Sequence, residues 1–346
     1  MKRLNKILIV TLITITVTNI FLNFSNVFAV ATDKSIVRAS VLLRKPDDPY
    51  NALLKENLEK IQKENEGKVE FTFYDSKDNQ SLQNEKLNQI LQEGKENIIM
   101  LNIIDSKATQ DIIDKVKEKN IPIVFFNVEE PNIDAVRSYS KAYYVGTKPE
   151  EAGIIQGKIL VDLWNEKKEI IDKNHDDIMQ YIMLMGTKNN LEAIGRTKYS
   201  VLTINNAGIK TQEIALRVCN WNESEAKEAM EQLFLQYGDK IEVIISNNDA
   251  MAIGAIDILQ KYGYNKGDAN KTVPVVGVDA IPKAQELIKA GVMAGTVLQD
   301  AYAMSKAVYD IGANLVNGRP PLQGTEYKFD DTGVSVRIPY KDYMNK

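Results

Sequence analysis

The sequence predicts an α/β protein of two doubly wound domains, and three features of the chain lead to this fold class. Short β-rich runs alternate with stretches of helical periodicity from residue 37 onward, which is the pattern of strand–helix units around a parallel sheet. Some strands, such as 121–126 and 273–278, are apolar along their length, as expected of strands covered on both faces. The 346 residues also hold too many units for one ordinary sheet, and roughly 150 residues per domain gives about two domains.

The elements follow one another in a regular order. In the first half we predict strands at 37–43, 69–74, 98–101 and 122–126, with helices near 50–65, 81–93 and 109–119. A break near 143–147 separates the two halves. In the second half we predict strands at 179–185, 210–216, 243–246, 273–278 and 296–298, with helices near 149–166, 191–206, 223–237 and 250–262.

Composition and charge exclude several classes of protein. Hydrophobic residues make up 44% and charged residues 26% of the chain, as in ordinary globular proteins. The 43 Lys and Arg residues against 47 Asp and Glu leave a net charge of -4, so no overall positive charge favours nucleic acid. One cysteine, Cys219, and one histidine, His175, exclude an internal disulfide and argue against Cys- or His-based metal sites and Ser-His-Asp hydrolases. Gly-rich phosphate loops and a nucleophile elbow are also absent from the sequence.

The N-terminus has the three parts of an export signal. Lys2, Arg3 and Lys6 precede an apolar run over 7–18, and the sequence FAVA at 28–31 offers cleavage after Ala31. We therefore predict a signal peptide over 1–31 and an exported protein, in the periplasm or on the outer face of the cytoplasmic membrane. Because the weakly apolar stretch reaches Phe24, a retained membrane anchor is the alternative.

Polar and aromatic side chains follow the strands at the edge where doubly wound sheets bind ligands. The planar Asp, Asn, Gln and Arg side chains offer paired hydrogen-bonding groups, and Tyr and Trp offer flat apolar faces, which together suit a pyranose ring. Each Asp or Asn could instead only cap the next helix, so the residues alone predict a pocket for a small polar molecule. These residues are Asp47, Asp48, Tyr50, Asn127, Asn190, Glu192, Arg196, Trp221, Asn247, Asn248, Asp249, Asp279 and Gln299.

At these positions the sequence resembles the periplasmic glucose/galactose-binding proteins of the type 1 periplasmic-binding-protein superfamily, from about residue 37 to 340. The stretches that carry the resemblance are PIVFFN at 122–127, KAYYVGT at 141–147, GIIQG at 153–157, KIEVIISNNDAMAIG at 240–254, VGVDAIP at 276–282 and AGTVLQD at 294–300. The resemblance implies two doubly wound parallel-sheet lobes joined by a three-strand hinge. One lobe would comprise 36–145 plus 301–336, and the other 147–298 plus 338–346.

The resemblance also implies a sugar held between the lobes. Asp48, Tyr50 and Asn127 would contact it from the first lobe, and Arg196, Trp221, Asn248 and Asp279 from the second. Tyr50, where the family has Phe, would stack on the ring opposite Trp221.

One flank of the implied site departs from the family pattern. Asn190 and Glu192 stand where the family has His and Asp, and Gln299 stands where it has Asn. Glu and Gln are each one methylene longer, which costs about 1–3 kcal/mol in a close-packed pocket unless the ligand differs. Glucose or galactose is the expected ligand, with another aldose as the alternative.

The segment 172–180 spaces oxygen ligands as a calcium loop does. Asp172, Asn174, Asp176 and Gln180 occupy positions 1, 3, 5 and 9, with the Ile178 carbonyl at position 7. Asp177 at position 6 and Met183 at position 12 break the EF-hand pattern. The resemblance implies instead a nine-residue loop completed by a distant Glu242, and hence a structural Ca2+. A solvated acidic turn is the alternative, since Asp177 stands at a position that favours positive φ.

We therefore expect a monomeric, non-enzymatic monosaccharide receptor that delivers sugar to an ABC importer, with a chemoreceptor as a further membrane partner and no nucleic acid as partner. The alternative is a membrane-anchored extracellular sugar sensor for a signalling partner, with shifted aldose specificity. A sugar-responsive repressor is disfavoured because an apolar export segment, and not a DNA-binding module, precedes residue 37. A sugar-processing enzyme is disfavoured because Asp47 and Asp48 are accompanied by no second acid/base pair.

Overall fold

The computed structural model describes residues 36–127 and 133–345, and the predicted signal peptide lies outside them. The described residues form two six-stranded sheets with helices between successive strands. The prediction of an α/β protein with two parallel-sheet lobes is thereby confirmed.

The strands and helices are numbered here in chain order over the described residues. The strands are β1 (Val37–Leu43), β2 (Val69–Asp75), β3 (Ile98–Leu101), β4 (Ile123–Asn127), β5 (Ala142–Gly146), β6 (Ile178–Met185), β7 (Lys210–Val218), β8 (Val243–Ser246), β9 (Val275–Asp279), β10 (Gly295–Leu298), β11 (Ser335–Arg337) and β12 (Lys341–Tyr343). The helices are α1 (Pro49–Glu64), α2 (Gln80–Glu93), α3 (Thr109–Glu118), α4 (Asp134–Arg137), α5 (Pro149–Ile171), α6 (Leu191–Asn206), α7 (Glu223–Tyr237), α8 (Asp249–Lys261), α9 (Pro282–Lys289) and α10 (Ala301–Val316).

The two sheets have the same arrangement. The first has the order β11-β5-β4-β3-β1-β2, and the second has the order β12-β10-β9-β8-β6-β7. Among these strands the pairing is parallel except for β12, which runs antiparallel to β10. In each sheet the first strand lies between the second and the third, so the strand order reverses there and opens a crevice at the carboxyl ends.

Helices cover both faces of each sheet. In the first lobe, α1 and α10 bury one face of the sheet, with Leu54 and Ile311 in that core, and α2 and α3 bury the other, with Leu87 and Ile112. In the second lobe, α7 and α8 cover one face, and α5 and α6 contribute to the core on the other. Buried on both faces, the strands are the apolar runs seen in the sequence.

The chain passes between the lobes three times. It leaves the first sheet after β5, returns between β10 and α10, and passes again between β11 and β12. We call residues 147–148, 299–300 and 338–340 the first, second and third crossings. None of the helices in the described residues is long and apolar enough to cross a membrane.

The predicted break near 143–147 contains a strand that was not among the predicted strands. Residues 143–147, interpreted as a break between domains, belong for the most part to β5, the last strand of the first sheet before β11 is added. The β-rich sequence AYYVG at 142–146 carries the strand signal, and the domain change begins only at the first crossing.

Candidate functional site

A pocket of about 90 Å³ lies where the carboxyl ends of the two sheets face each other. At roughly 10–15 Å³ for each water, this space suits one small polar molecule. All ten residues that the resemblance implies for the sugar site line this pocket. They are Asp48, Tyr50, Asn127, Asn190, Glu192, Arg196, Trp221, Asn248, Asp279 and Gln299.

Five further residues line the same pocket and were missed in the sequence. Arg44, Lys45, Asn51, Asp78 and Asn220 stand in loops or at a helix start and follow no motif. Arg44 pairs with Asp78 at 2.7 Å. The position of Arg44 and Lys45 directly after β1 was the available signal, because residues at that edge of the sheet face the crevice.

Helix capping and pocket lining occur together at three positions. Asp48 accepts hydrogen bonds from the backbone N–H groups of Tyr50 and Asn51 at 3.1 and 3.0 Å and so caps α1. Asn190 caps α6 and Asn248 caps α8 in the same way. Capping fixes each side chain at a helix N-terminus that begins at the pocket, so it positions these polar groups and is not an alternative to a site role.

Three of the ten predicted site residues adopt backbone conformations that non-glycine residues seldom take. The φ angles are 73° at Asn127, 64° at Trp221 and 119° at Asp279. Such conformations cost of order 1–3 kcal/mol each and cluster at functional sites, where the surrounding structure compensates for them. All three residues lie just after or at the end of a strand, where the chain turns to present its side chain to the pocket.

Arg196 is the most highly connected residue of the pocket, and its side chain is 4% exposed. Its Nη1 donates to the Asn247 carbonyl at 2.8 Å and lies 4.0 Å from Asp279 Oδ1. Its Nη2 donates to Gln299 Oε1 at 2.7 Å, to Glu192 Oε2 at 3.2 Å and to the Tyr340 hydroxyl on the third crossing at 2.8 Å. Such a buried guanidinium with its fixed fork of donors holds a rigid position from which to bind a polar ligand.

The aromatic side chains come from opposite lobes. Tyr50 at the start of α1 is 6% exposed, with its hydroxyl 3.8 Å from Met304 Sδ. Trp221 follows β7, and the Arg196 guanidinium lies 5.6 Å from its ring centre. The pocket therefore has an apolar ring surface on each side.

Burial dominates the electrostatics of the pocket carboxylates. It raises the pKa of Asp48, while two backbone N–H bonds oppose the shift. It raises the pKa of Asp279 well above its usual range, with Arg196 lowering that pKa and the neighbouring Asp249 raising it. Carboxylates in this environment gain from hydrogen-bond donors, which the hydroxyls of a ligand would supply.

Glu192 and Gln299, the two longer residues of the altered flank, contact the protein as well as the pocket. Glu192 Oε1 accepts a hydrogen bond from Thr147 on the first crossing at 3.3 Å. Gln299 on the second crossing accepts from Arg196 and donates to Asn127 Oδ1 at 3.1 Å. Thr147 contacts Glu192, and Tyr340 contacts Arg196 and Gln299. The sequence analysis did not predict these two residues, because each lies far along the chain from the residues it contacts.

The acidic loop between α5 and β6 is closed by its own hydrogen bonds. Asp172 accepts from the backbone N–H groups of Asp176 and Asp177 at 3.1 and 3.0 Å. Glu242 accepts from the backbone of Lys173 and Gln180 at 2.8 and 2.9 Å, so the distant Glu does reach the loop. Asp177 has a φ of 63°, as its loop position predicts, and contacts Lys168.

The side chains of the loop supply the oxygen atoms that calcium prefers, but they do not converge on one point. Throughout the described residues, no three His, Cys, Asp or Glu side chains converge as a metal site. The predicted ligands are nevertheless oxygen donors, and Gln180 Oε1 is buried without a hydrogen-bond partner among the described residues. Burial raises the pKa of Glu242, and Asp172 and Asp176 raise it further, so a cation among them would relieve both effects.

Two residues outside the pocket, Cys219 and Trp164, have structural roles. Cys219 is fully buried, and burial raises the pKa of its thiol to about 12, which leaves it protonated and unreactive. Trp164 on α5 is 5% exposed within the core of the second lobe.

Two α/β lobes joined by three crossings, with a polar, ligand-sized pocket between them, define a two-lobed ligand-binding protein. The chain belongs to the family described as periplasmic binding protein domain, which its residues 39–320 match. This is a family of binding proteins, and the chain is non-enzymatic.

Curated relatives and solved structures agree with this assignment. The D-galactose/methyl-galactoside binding periplasmic protein of Haemophilus influenzae is 37% identical over 304 residues, 88% of each chain. A xylitol-binding protein of Mycolicibacterium smegmatis is 24% identical over 272 residues, 78% of this chain and 68% of that one.

Two crystal structures show the same fold. A solute-binding protein of Bacillus halodurans with bound myo-inositol matches with a TM-score of 0.73 at 23% identity, covering 90% of this chain and 96% of that one. One of Actinobacillus succinogenes with bound D-allose matches with a TM-score of 0.74 at 18% identity, covering 89% and 97%.

Proposed function

We propose that this protein is the galactose-type sugar-binding component of an ABC importer. The observation that carries the proposal is the pocket, which is lined from both lobes by the ten residues that the resemblance implies for a sugar site. Its planar polar side chains and two aromatic rings suit a monosaccharide. The relative that is 37% identical over most of its length binds galactose and methyl-galactoside by name.

The proposed mechanism is closure of the two lobes around the sugar. Asp48, Tyr50 and Asn127 would contact the sugar from the first lobe, and Trp221 and Asp279 from the second. A ligand that binds both lobes favours the conformation in which both reach it. The closed form would then be recognised by the importer, or by a chemoreceptor.

Calorimetric titration of residues 32–346 against galactose, glucose, methyl-galactoside and other aldoses tests this function. We expect a micromolar or tighter Kd for galactose or glucose. Asp279→Asn should abolish binding, because it changes a buried carboxylate of the pocket. Asp257→Asn is the matched control, since Asp257 lies on α8 with its side chain 40% exposed and pairs with Lys227. Binding only to another aldose would mean a shifted specificity, and no binding to any sugar would contradict the function.

We also propose that the chain is exported and cleaved after Ala31. The positive, apolar and small-residue parts of 1–31 support this. Mass spectrometry of the N-terminus of the protein recovered from cells decides it. A start at residue 32 supports a mobile receptor, and retention of 1–31 supports the anchored sensor.

We infer further that the loop 172–180 binds a structural Ca2+ through Asp172, Asn174, Asp176, Gln180, the Ile178 carbonyl and Glu242. The ion would link α5, β6 and the start of β8 within the second lobe. The support is the oxygen donor set together with the buried, unpartnered Gln180 Oε1.

Thermal unfolding with chelator and with added Ca2+ tests the metal site. Ligand at about 100 times its Kd adds about 2.7 kcal/mol, which raises the Tm of a chain of this size by about 4 °C. Glu242→Gln should remove this response, and Glu286→Gln, an exposed residue on α9, should keep it. If chelator and added Ca2+ leave the Tm of the wild type unchanged, the loop is a solvated acidic turn that binds no calcium.

A further inference from the structure

The hydroxyl of Tyr340 connects all three crossings at one point. Tyr340 belongs to the third crossing and is 7% exposed. Its hydroxyl lies 2.9 Å from Thr147 Oγ1 on the first crossing and 3.3 Å from Gln299 Oε1 on the second. It also accepts a hydrogen bond from Arg196 Nη2 at 2.8 Å. A single group thus touches both other crossings and the central arginine of the pocket.

Glu192 closes this group into a ring of hydrogen bonds. Its Oε1 accepts from Thr147 Oγ1 at 3.3 Å, and its Oε2 accepts from Arg196 Nη2 at 3.2 Å and lies 3.4 Å from the Tyr340 hydroxyl. A tyrosine hydroxyl has one hydrogen to donate, and Thr147 is its shortest acceptor. The hydrogen bonds therefore run from Tyr340 through Thr147 to Glu192, which in turn accepts from Arg196.

The first and third crossings are also held together where they leave β5 and β11. The Ile338 N–H donates to the Gly146 carbonyl at 2.7 Å, and Arg337 Nη1 donates to the Thr147 carbonyl at 3.1 Å. Thr147 is thus bound through both its carbonyl and its hydroxyl. These bonds continue the β5–β11 pairing of the first sheet, so both crossings start from one fixed edge of the first lobe.

The guanidinium of Arg196 has two ends with different neighbours. Nη2 faces the crossings and contacts Glu192, Gln299 and Tyr340. Nη1 lies 4.0 Å from Asp279 Oδ1, and the guanidinium carbon lies over the Trp221 ring. Nη1 also donates to the Asn247 carbonyl at 2.8 Å. Because the guanidinium is planar and rigid, this bond and the contacts of Nη2 at the crossings together fix its position in the pocket.

We propose that Thr147, Glu192, Gln299 and Tyr340 form a hinge latch that positions Arg196 for the sugar. The latch rests on the proposed sugar-binding function and adds Tyr340 and Thr147 as positioning residues. It also gives the altered flank a role, because the longer Glu192 and Gln299 side chains end in contact with residues of the crossings. Arg196 is then ordered before the sugar arrives, which reduces the entropy cost of binding.

Removal of one hydroxyl tests the latch. Tyr340→Phe keeps the aromatic ring and removes the hydroxyl with its hydrogen bonds. Thr147→Val keeps the branched side-chain shape and likewise removes the hydroxyl. The matched control is Tyr139→Phe, since Tyr139 is 6% exposed and its hydroxyl donates at 3.1 Å to the Ile121 carbonyl within the first lobe. We expect Tyr340→Phe to weaken sugar binding about tenfold, equal to 1.4 kcal/mol, and Tyr139→Phe to leave the Kd unchanged.

A second readout needs no sugar. The chain has two tryptophans, so in a Trp164→Phe background the emission reports on Trp221 alone. Displacement of Arg196 from the Trp221 ring should shift this emission in Tyr340→Phe and Thr147→Val, and not in Tyr139→Phe. A lower Tm in Tyr340→Phe with unchanged Kd and unchanged emission would reduce Tyr340 to a structural residue and overturn the proposal.

The two readouts separate the latch from the sugar-binding function. If the wild type binds no sugar, the proposed function fails, and the emission of the sugar-free variants still shows whether Tyr340 positions Arg196. If the wild type binds sugar and Tyr340→Phe matches it in both readouts, the latch alone fails.

Discussion

At the scale of single residues, Gly186 determines where Trp221 can lie. A methyl group at this position would overlap the Trp221 ring, because the indole packs directly on the backbone that follows β6. Trp221 is half-buried, and the methyl group would push its ring away from this backbone. The glycine is therefore part of the pocket although it contributes no side chain.

We predict that Gly186→Ala weakens sugar binding about tenfold or more by displacing the indole from its stacking position. Calorimetric titration measures the effect. Gly295→Ala is the control, since its methyl would meet Met344 at 3.1 Å, a milder contact in the same lobe and away from the pocket. Equal affinity of Gly186→Ala and the wild type would mean that Trp221 does not stack on the sugar.

Asp249, buried behind Asp279, makes stability depend on pH. Burial raises the pKa of Asp249 to about 7, although Thr296 and the backbone of Ile281 donate to it. The unfolded pKa is about 3.9, so the folded protein holds a proton that the unfolded chain releases. This contribution to stability is fully present below pH ~4 and is lost as the pH rises through about 7.

Asp249→Asn is neutral at every pH and should remove that dependence. In urea unfolding at pH 5 and pH 8, we expect the wild type to lose about 2–3 kcal/mol of unfolding free energy relative to the variant over this interval. Asp257→Asn, at a half-buried position on the same helix, should follow the wild type. Parallel pH profiles of Asp249→Asn and the wild type would show that Asp249 is ionised in the folded protein throughout this range.

At the scale of elements, the residues that cap the helices beginning at the pocket have two roles. Asp48 caps α1 with two backbone hydrogen bonds and also lines the pocket. The two roles can be separated, because serine caps a helix about as well as aspartate does and lacks the carboxylate.

We predict that Asp48→Ser keeps the stability of the wild type and loses most of its sugar affinity. Asp48→Ala should lose the affinity and also about 1 kcal/mol of unfolding free energy. Urea unfolding without sugar and calorimetric titration measure the two effects separately. Wild-type affinity in Asp48→Ser would leave Asp48 as a cap only.

Local pattern predicts the strands of this fold well where an apolar run stands between polar turns. The buried strands β1, β3 and β8 were predicted at their observed bounds, because an apolar run flanked by polar turns is a local signal. In contrast, β5 was interpreted as a break, and β11 and β12 have only three residues each, so both escaped prediction. Their pairing depends on remote strands, and a short segment carries no periodicity of its own.

At the scale of the whole molecule, the pocket is made from segments that only the fold brings together. Residues at strand ends could be predicted to share one edge of each sheet, because parallel strands place their carboxyl ends together. The contact of Tyr340 with Thr147 and Gln299 joins three crossings remote in sequence. No local pattern marks such a contact, since it depends on the angle at which the lobes meet.

Because the pocket takes residues from both lobes, sugar binding should be accompanied by closure. Gln299 on the second crossing already donates a hydrogen bond to Asn127 of the first lobe. A sugar between Tyr50 and Trp221 would add contacts from each lobe. A ligand shifts the balance of two conformations by its difference in affinity for them. A sugar that contacts both lobes only in the closed form therefore favours that form.

We predict that small-angle X-ray scattering of residues 32–346 shows a fall in the radius of gyration when sugar is added, towards the value of about 20 Å for a compact chain of this length. Asp279→Asn, which should not bind, is the control for effects of the sugar on the solvent, and its radius should stay constant. Tyr340→Phe at saturating sugar should reach the closed radius only in part if the hinge latch stabilises closure. A wild-type radius that does not change at saturating sugar would mean that the ligand enters a cleft already closed, and closure would then not be the signal that the membrane partner reads.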